Sequence, residues 1–217
     1  MRPYRIPKPS LAVLFDVDGT LYTDEAYGRF QIDVLIEELA RVRGEAFEAT
    51  AAAVEEARQR LARERGLATT SLGNAMAALG VSLATSVAWR ERLIDPARFL
   101  RPDPRLAAAL VALRRGGASI AAVTNNPRSV GEATLTALGV REAFDAVVGL
   151  DDTMLSKPAP EPYLLAARLL GVAPAACLSV GDRYDVDLAV PLELGMGAVL
   201  VDGVEDVYKL PELLAGA

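Results

Sequence analysis

Residues 11–22 read LAVLFDVDGTLY, a continuous apolar run followed directly by two carboxylates, Asp16 and Asp18. An unbroken apolar run, rather than an alternating one, is typical of a parallel strand that helices cover on both faces. In open sheets of this kind, functional groups lie beyond the carboxyl ends of the strands. The stretch therefore predicts a buried strand over Leu11–Phe15 that delivers both acids to the carboxyl edge of a sheet.

Four further apolar runs extend the predicted sheet. They are Ser119–Val123, Ala146–Leu150, Cys177–Val180 and Ala198–Val201. Polar residues follow them in turn: Thr124, Asp151, the pair Gly181-Asp182, and Asp202. Segments with helical periodicity that end at glycine separate the runs: Pro104–Arg115, Ser129–Leu138, Pro160–Leu170 and Val186–Leu194. This alternation predicts an α/β fold with a Rossmann-like parallel sheet flanked by helices.

The segment 24–98 interrupts the alternation, since it holds no strand-like run and is rich in Ala, Glu and Arg. Its pattern predicts helices near Ala26–Arg43, Glu45–Arg65, Ser71–Leu79 and Ser86–Leu93. We therefore expect an inserted all-helical domain over 24–98, and a core formed by 1–23 and 99–217.

The composition removes whole classes of chemistry. The 217-residue chain has no histidine, one cysteine, 29 acidic and 23 basic residues, and a net charge of −6. Catalysis by a Ser-His-Asp triad and zinc held by histidine are thus excluded. The single Cys177 provides neither an internal disulfide nor a cysteine-rich metal site. Carboxylates, hydroxyls, Lys or Arg, backbone amides and a hard cation remain.

The same numbers bound the partners. An acidic chain lacks the clustered cations that nucleic-acid binding needs. No apolar run approaches the roughly 18 residues of a membrane helix, and the opening MRPYRIPKPS is too rich in proline for a signal peptide. We expect a cytoplasmic protein whose partners include neither nucleic acid nor a membrane, and the sequence indicates no oligomeric state.

The first motif, Asp-x-Asp-Gly-Thr, places Asp16 and Asp18 two residues apart, and alternate residues of a strand share a face. Both acids can therefore point into one site, where one serves as nucleophile and the other handles protons. Gly19 permits a tight turn and Thr20 offers a hydroxyl. The alternative is an Asp-Gly turn without a chemical role.

Two weaker signals follow at later strand ends. Thr124 and Asn125 can hold an oxyanion through a hydroxyl and backbone amides, although Thr-Asn-Asn-Pro is also a good turn. Lys157, one of only three lysines, precedes Pro158 and can neutralise a carboxylate and a phosphoryl group as a point cation. The alternative for Lys157 is a solvent-facing side chain in a loop.

The fourth signal is a run of acids, Asp182, Asp185 and Asp187, where a strand turns into a helix. Helix capping explains one of them, Asp185 most easily, but not all three. A set of oxygen ligands without His or Cys favours Mg²⁺ over zinc.

The four motifs occur in a fixed order, each at the end of a predicted strand: Asp-x-Asp-Gly-Thr, Thr-Asn, Lys-Pro and Gly-Asp-x₄-Asp. With these four motifs in this order, the whole chain resembles members of the haloacid dehalogenase superfamily of aspartyl-nucleophile phosphohydrolases. The insert at 24–98 resembles the helical cap of the first class in that superfamily.

The resemblance implies a role for each position. Asp16 would attack the phosphoryl group, and Asp18 would protonate the leaving oxygen and then activate water. Lys157 would pair with Asp16 and the phosphate. The phosphate-binding residues that it implies are Asp18, Gly19, Thr124, Asn125 and Lys157.

The resemblance also implies a Mg²⁺ cofactor. Asp182 would bind the ion together with Asp16 and the backbone carbonyl oxygen of Asp18. Asp187 would bind the ion or orient a water molecule on it.

Departures from related patterns narrow the implied reaction. The name-giving dehalogenases lack the second acid of the first motif, whereas Asp18 is present. The insert contains no lysine and no histidine, which argues against the phosphonate hydrolases and the sugar phosphomutases of the superfamily. P-type ATPases carry Lys-Thr where this chain has Val-Asp. Hydrolysis of a small phosphorylated metabolite, a phosphate monoester, by a Mg²⁺-dependent phosphatase is what remains.

The substrate is a finer question. Phe15–Tyr22, Arg63–Met76 and Phe99–Asp103 are similar to segments of the pyrimidine 5′-nucleotidase-like branch, which suggests a nucleoside 5′-monophosphate. A sugar phosphate or phosphoglycolate is the alternative, and a phosphate-sensing or scaffolding protein is the non-enzymatic one. The residues that could face a substrate are Thr69, Thr70, Ser71, Asn74, Tyr22, Tyr27 and Arg29, and helix capping is the alternative for the first four.

Overall fold

A computed structural model of the chain describes residues 1–65 and 70–216. Thr69, a candidate for facing the substrate, lies outside the described residues. The chain divides into two compact units, one formed by 1–25 and 95–217 and the other by 26–94.

One sheet organises the first unit. In the described ranges it contains six strands: β1 (Arg2–Arg5), β2 (Ala12–Phe15), β3 (Ser119–Val123), β4 (Ala146–Val148), β5 (Cys177–Gly181) and β6 (Gly197–Leu200). Their order is β1-β6-β5-β2-β3-β4, and every neighbouring pair is parallel except β1 with β6. The predicted α/β fold with a parallel sheet is confirmed.

Helices account for most of the remaining chain. Across 1–65 and 70–216 they are α1 (Glu25–Arg43), α2 (Phe47–Arg65), α3 (Leu72–Ala78), α4 (Leu83–Leu93), α5 (Pro104–Arg115), α6 (Arg128–Ala137), α7 (Leu150–Thr153), α8 (Glu161–Leu169), α9 (Ala189–Glu193), α10 (Val204–Val207) and α11 (Leu210–Ala215). Short 3₁₀ turns lie at Pro96–Arg98, Arg141–Ala143 and Pro174–Ala176, and a π-helical turn spans Tyr184–Leu188. None of the helices within these residues is both long and apolar enough to cross a membrane.

Strand β2 lies between β5 and β3 in the interior of the sheet, and all four of its residues are buried. From β2 the chain continues to β3 and β4 on one side, and then returns to β5 and β6 on the other. A reversal of this kind leaves a crevice at the carboxyl ends of the central strands. Phe15 pairs with Ala122 of β3 and with Val180 of β5, so the residues that follow these three strands lie at one level.

Strand β1 was not among the predicted strands. Its sequence, Arg-Pro-Tyr-Arg, has no apolar run, and all four residues are exposed at the edge of the sheet. An edge strand tolerates a proline and charged residues because only one side of its backbone has to pair. Hydrophobic patterning therefore had nothing to detect there.

Two further elements of this unit differ from their predicted bounds by more than one residue. The strand predicted over Ala146–Leu150 ends at Val148, and Leu150 instead begins the short helix α7. The helix predicted over Val186–Leu194 is divided into the π-helical turn and α9, and Arg183 rather than Asp185 occupies the N-cap of that turn. Single π-helical turns are rare and concentrate at functional sites.

The second unit has its own apolar core, in which Leu35, Leu39, Val54 and Met76 are buried. Helices α1 to α4 follow the predicted segments, although α4 begins at Leu83 after the N-cap Ser82, earlier than the predicted Ser86. The capping alternative holds for Ser71, whose hydroxyl accepts a hydrogen bond from the N–H of Asn74 at the start of α3. The role of this unit as a cap stays a prediction.

Candidate active site

Three carboxylates converge at the carboxyl edge of the sheet. Asp16 follows β2, while Asp182 and Asp187 lie in the turn after β5. One oxygen atom from each lies within 4.8 Å of the others. Asp16 and Asp187 are buried, at 5% and 1% exposure. Residues far apart in sequence are thus assembled into one acidic cluster.

Lys157 supplies the positive charge of this cluster. Its side chain is buried, and its ammonium nitrogen donates to Oδ1 of Asp16 at 2.5 Å and to Oδ1 of Asp187 at 2.7 Å. Lys157 is therefore not the solvent-facing residue of the alternative interpretation. A single nitrogen atom bridges two acids from different strand ends.

Asn125 fixes the backbone of Lys157 through two reciprocal hydrogen bonds. The Lys157 N–H donates to Oδ1 of Asn125 at 2.7 Å, and Nδ2 of Asn125 donates to the Lys157 carbonyl at 3.3 Å. The Asn125 amide side chain thereby acts like the backbone of a neighbouring strand. It ties the loop after β3 to the loop that carries Lys157.

The electrostatics of the cluster are unbalanced. Burial, and then the neighbouring acids, raise the pKa of Asp16 to about 7, although Lys157 acts in the opposite direction. Burial alone lowers the pKa of Lys157, but attraction to Asp16 and Asp187 outweighs burial and raises it, so the ammonium stays charged. The three acids outnumber the Lys157 ammonium and the Arg183 guanidinium, which reaches Asp182 only at 3.8 Å. Negative charge is therefore in excess, and an added cation would relieve the repulsion between the carboxylates.

The donor set fits a hard cation. Oδ1 of Asp182 is buried and accepts no hydrogen bond, and its ion pair with Arg183 is long, at 3.8 Å. Burial, followed by repulsion from Asp187, raises the pKa of Asp182. All ligand atoms of the cluster are carboxylate oxygens, which suit Mg²⁺. A buried carboxylate oxygen that accepts no hydrogen bond is the group that such an ion would satisfy.

Asp187 is held in place by other groups of the protein. Its Oδ1 accepts from Lys157 and its Oδ2 from the N–H of Arg183 at 3.1 Å. The hydroxyl of Ser179 donates to the Asp187 carbonyl at 2.8 Å. Ser179 was not among the predicted site residues, since its place inside an apolar strand gave no sign of this contact.

Glycines make room for the acids. A Cβ atom at Gly19, whose φ is 83°, would lie 2.7 Å from Oδ2 of Asp182. A Cβ atom at Gly181 would lie 2.4 Å from the Cβ of Asp187. Real Cβ contacts are longer, so both positions require glycine if the carboxylates are to approach the backbone this closely. Gly19, predicted to bind phosphate, thus lies directly beside the predicted metal ligand Asp182.

The carboxylate of Asp18 is bound by hydrogen-bond donors outside the acidic cluster. Tyr22 donates its hydroxyl proton to Oδ1 at 2.5 Å. Oδ2 accepts from Nδ2 of Asn126 at 3.0 Å and from the hydroxyl of Thr124 at 3.4 Å. Asp18 was predicted to bind the metal through its backbone carbonyl, and that prediction stays open.

Sequence reasoning missed two of these donors. Tyr22 was considered as a residue that faces the substrate, whereas its hydroxyl binds Asp18. Asn126 was read as the second of two Asn residues after Thr124, either near an oxyanion site or in a turn, and its side-chain contact with Asp18 was not predicted. Thr20, noted for its hydroxyl, donates to Oδ2 of Asp16 at 3.2 Å. The polar side chain of Asn126, next to Thr124 at the strand end, could have indicated a site residue. The hydrogen bond from Tyr22 to Asp18 could not be predicted, because it depends on how the chain turns between these two residues.

Two acids expected at this edge stay apart from the cluster. Asp151 accepts a hydrogen bond from the N–H of Arg128 at the start of α6. The side chain of Asp202 is 90% exposed. Following a strand at the correct edge is therefore not sufficient, and the acids beside the central strand β2 are the ones that meet.

Comparison with curated proteins gives partial matches. The phosphoglycolate phosphatase of Escherichia coli (strain K12) is 40% identical over 87 residues, which are 40% of this chain and 34% of that protein. The phosphoglycolate phosphatase of Salmonella typhi is 41% identical over the same shares. The matched stretch thus spans about a third of the length of these relatives.

Solved structures match along almost the whole chain. A phosphatase from Thermococcus onnurineus, described as a HAD (haloacid dehalogenase) phosphatase, is 24% identical to this chain, with a TM-score of 0.65. The match covers 95% of this chain and 98% of that one. The 2-haloacid dehalogenase from Pseudomonas syringae is 20% identical, with a TM-score of 0.57, over 95% and 98%. At these identities the likeness shows the shared fold.

A family model described as haloacid dehalogenase-like hydrolase matches residues 11–195. The match begins just before β2 and continues beyond Asp187, so it includes every residue of the site described above. By its fold, its motifs and this match, the chain belongs to the haloacid dehalogenase-like hydrolase family.

Proposed function

We propose that the protein is a Mg²⁺-dependent phosphatase that hydrolyses a small phosphate monoester through an aspartyl-phosphate on Asp16. The observation that carries the proposal is the buried cluster in which Lys157 bridges Asp16 and Asp187 beside Asp182, whose buried Oδ1 accepts no hydrogen bond. An anionic nucleophile that meets an anionic phosphate needs compensating positive charge, which Lys157 and a bound Mg²⁺ would supply.

The first step is phosphoryl transfer to the protein. A carboxylate oxygen of Asp16 attacks phosphorus, and the bond between phosphorus and the ester oxygen breaks. The leaving oxygen takes the proton of Asp18. Lys157 keeps Asp16 oriented and offsets its charge, and Thr124 with the backbone amides of Gly19 and Asn125 holds the phosphoryl oxygens.

The second step regenerates the protein. Water attacks phosphorus and gives its proton to Asp18, and the bond between phosphorus and Asp16 breaks to release inorganic phosphate. Asp18 is thereby protonated again for the next turnover. Asp16, Asp182, Asp187 and the Asp18 carbonyl would hold Mg²⁺, which neutralises charge on the nucleophile and the phosphoryl group when bound.

Two substrate classes are supported by different observations. Nucleoside 5′-monophosphates are favoured by the similarity of Phe15–Tyr22, Arg63–Met76 and Phe99–Asp103 to the pyrimidine 5′-nucleotidase-like branch. Phosphoglycolate is favoured by the name that the curated relatives carry.

We further propose that the helical unit is the cap of this family. A cytoplasmic location fits the single cysteine.

The test of the reaction is phosphate release from p-nitrophenyl phosphate with and without Mg²⁺. We expect turnover only with the ion, and loss of turnover in Asp16→Asn. Robust turnover in the presence of a chelator would refute the mechanism. No turnover of any ester by the folded protein would favour the phosphate-sensing alternative.

The test of the substrate is a comparison of kcat/KM over UMP, CMP, 2-phosphoglycolate and sugar phosphates. A preference for the nucleotides supports the nucleotidase assignment. A preference for 2-phosphoglycolate or a sugar phosphate rejects that assignment and leaves the reaction type intact.

A further inference from the structure

We propose that Tyr22 and Asn126 are positioning residues that aim the carboxyl group of Asp18 at the leaving oxygen of the substrate. The inference rests on the proposed function, in which Asp18 protonates that oxygen. Neither residue belongs to the four ordered motifs, Asp-x-Asp-Gly-Thr, Thr-Asn, Lys-Pro and Gly-Asp-x₄-Asp.

The geometry of Asp18 carries the inference. Tyr22 donates to Oδ1 at 2.5 Å, and Asn126 donates to Oδ2 at 3.0 Å. Because both oxygens accept a hydrogen bond, the carboxyl group is fixed both in position and in rotation about its own axis. Thr124 adds a longer contact to Oδ2, at 3.4 Å.

Both donors are themselves held firmly. Tyr22 and Asn126 are each 5% exposed, so water does not compete strongly for their polar atoms. The backbone of Tyr22 forms a bridge with Asp18 across the turn. The N–H of Asn126 donates to the hydroxyl of Thr124 at 3.1 Å, and its carbonyl accepts from the N–H of Leu150 at 2.9 Å. Rigid support of this kind preorganises a reacting group.

The chemistry of the leaving group gives the inference a specific signature. An alkoxide is a strong base and needs a proton as it departs, whereas p-nitrophenolate departs readily without one. Loss of a correctly aimed acid therefore slows the cleavage of alkyl esters and largely spares p-nitrophenyl phosphate. A purely structural role of Tyr22 and Asn126 would lower the rates of both esters in proportion.

The experiment compares kcat/KM for p-nitrophenyl phosphate and for the best alkyl phosphate of the wild-type protein. The variants are Tyr22→Phe and Asn126→Ser, and Asp18→Asn gives the full size of the effect. For each of the first two, we expect kcat/KM for the alkyl ester to fall about tenfold and that for the aryl ester to change by less than about twofold.

Tyr208→Phe is the matched control. It removes a hydroxyl that donates to Asp103 at 2.5 Å, the same residue types and the same distance, at a place remote from the acidic cluster in sequence. We expect the ratio of the two kcat/KM values to stay at the wild-type level. If Tyr22→Phe fails to fold, the ratio in Asn126→Ser decides.

The outcomes separate the two proposals. If the wild-type protein hydrolyses both esters and the ratio is unchanged in Tyr22→Phe and Asn126→Ser, the inference is overturned and the proposed function stands. Equal losses for both esters also overturn it. If the wild-type protein hydrolyses neither ester, the proposed function itself fails.

Discussion

Lys157 shows how much of the site depends on a single side chain. Arginine supplies 20 of the 23 cations of this chain, yet a lysine lies between Asp16 and Asp187. The compact ammonium places one nitrogen within reach of two oxygens, whereas a guanidinium spreads its donors over a wide planar fork. The residue type is therefore set by the space between two buried carboxylates.

The first prediction concerns this fit. Lys157→Arg keeps the charge but displaces Asp16, so we expect kcat to fall roughly 100-fold or more. The measurement is steady-state phosphate release from the preferred ester. Lys209→Arg is the control, because that side chain is 60% exposed, and its activity should equal that of the wild-type protein. Activity of Lys157→Arg near the wild-type level would contradict the assigned role.

The second prediction concerns Gly19. Gly19→Ala brings a methyl group against Asp182, at 2.7 Å, and adds the strain of a positive φ. We expect a stability loss of about 1–2 kcal/mol and a Mg²⁺ affinity lowered about tenfold. Denaturant unfolding and isothermal titration calorimetry measure the two effects.

Gly171→Ala separates the strain from the contact. Gly171 has a φ of 67°, but a Cβ atom there would meet nothing within 4 Å. We expect a similar loss of stability without any change in Mg²⁺ affinity. If Gly19→Ala and Gly171→Ala bind Mg²⁺ with equal affinity, the close approach of Gly19 to Asp182 does not matter for binding the ion, and the prediction fails.

At the scale of elements, the turn after β5 differs most from expectation. Helical periodicity predicted one helix over Val186–Leu194, but the chain forms a π-helical turn over Tyr184–Leu188 before α9. In the turn, Asp187 accepts from Lys157 and from the N–H of Arg183. Periodicity records which residues are apolar, and it carries no information about a turn whose shape is set by a buried polar contact.

The third prediction concerns the helical unit, where Glu38 of α1 binds Arg41 and also Arg92 of α4. The hydrogen bond from Arg41 is the main cause that lowers the pKa of Glu38, from 4.5 to about 2. A lowered pKa means that the ionised form stabilises the fold at neutral pH. That contribution is lost as the pH falls from about 4.5 toward 2.

The measurement is the free energy of unfolding of the wild-type protein and Glu38→Gln against pH. Near neutral pH we expect the variant to be less stable by about 1 kcal/mol, because both arginines are largely exposed and solvent screens them. The difference should shrink below about pH 4.5. Glu55→Gln removes a carboxylate from an exposed part of α2 and is the control for the loss of one negative charge. A difference independent of pH would disprove the assignment.

At the scale of the whole molecule, the site is a product of strand order. The acids follow β2 and β5, and these strands are neighbours although most of the chain lies between them. The apolar runs predicted the central strands and the edge at which polar groups gather. The pairing order, the edge strand β1 and the donors to Asp18 depend on contacts between distant segments, which no local pattern encodes.

The fourth prediction concerns the stability of the whole protein. Three clustered acids repel one another, so Asp182→Asn should be at least as stable as the wild-type protein in the presence of a chelator. Saturating Mg²⁺ should stabilise the wild-type protein by about 2.7 kcal/mol when the free ion reaches about 100 times its Kd, and the variant far less. Thermal melting with and without Mg²⁺ measures both effects.

Asp185→Asn is the control for this measurement. Asp185 lies in the same turn but outside the acidic cluster, so its variant should respond to Mg²⁺ as the wild-type protein does. An equal response of Asp182→Asn would show that the ion does not bind at this cluster.

The reciprocal bonds between Asn125 and Lys157 join two loops that lie far apart in sequence. The two loops therefore behave as one module in protein engineering. A chimera that takes the Lys157 loop from a relative keeps both bonds only if the new loop presents the same backbone N–H and carbonyl groups to Asn125. Grafts at this edge of the sheet should transfer both loops together, and libraries that randomise one of them should vary Asn125 in concert.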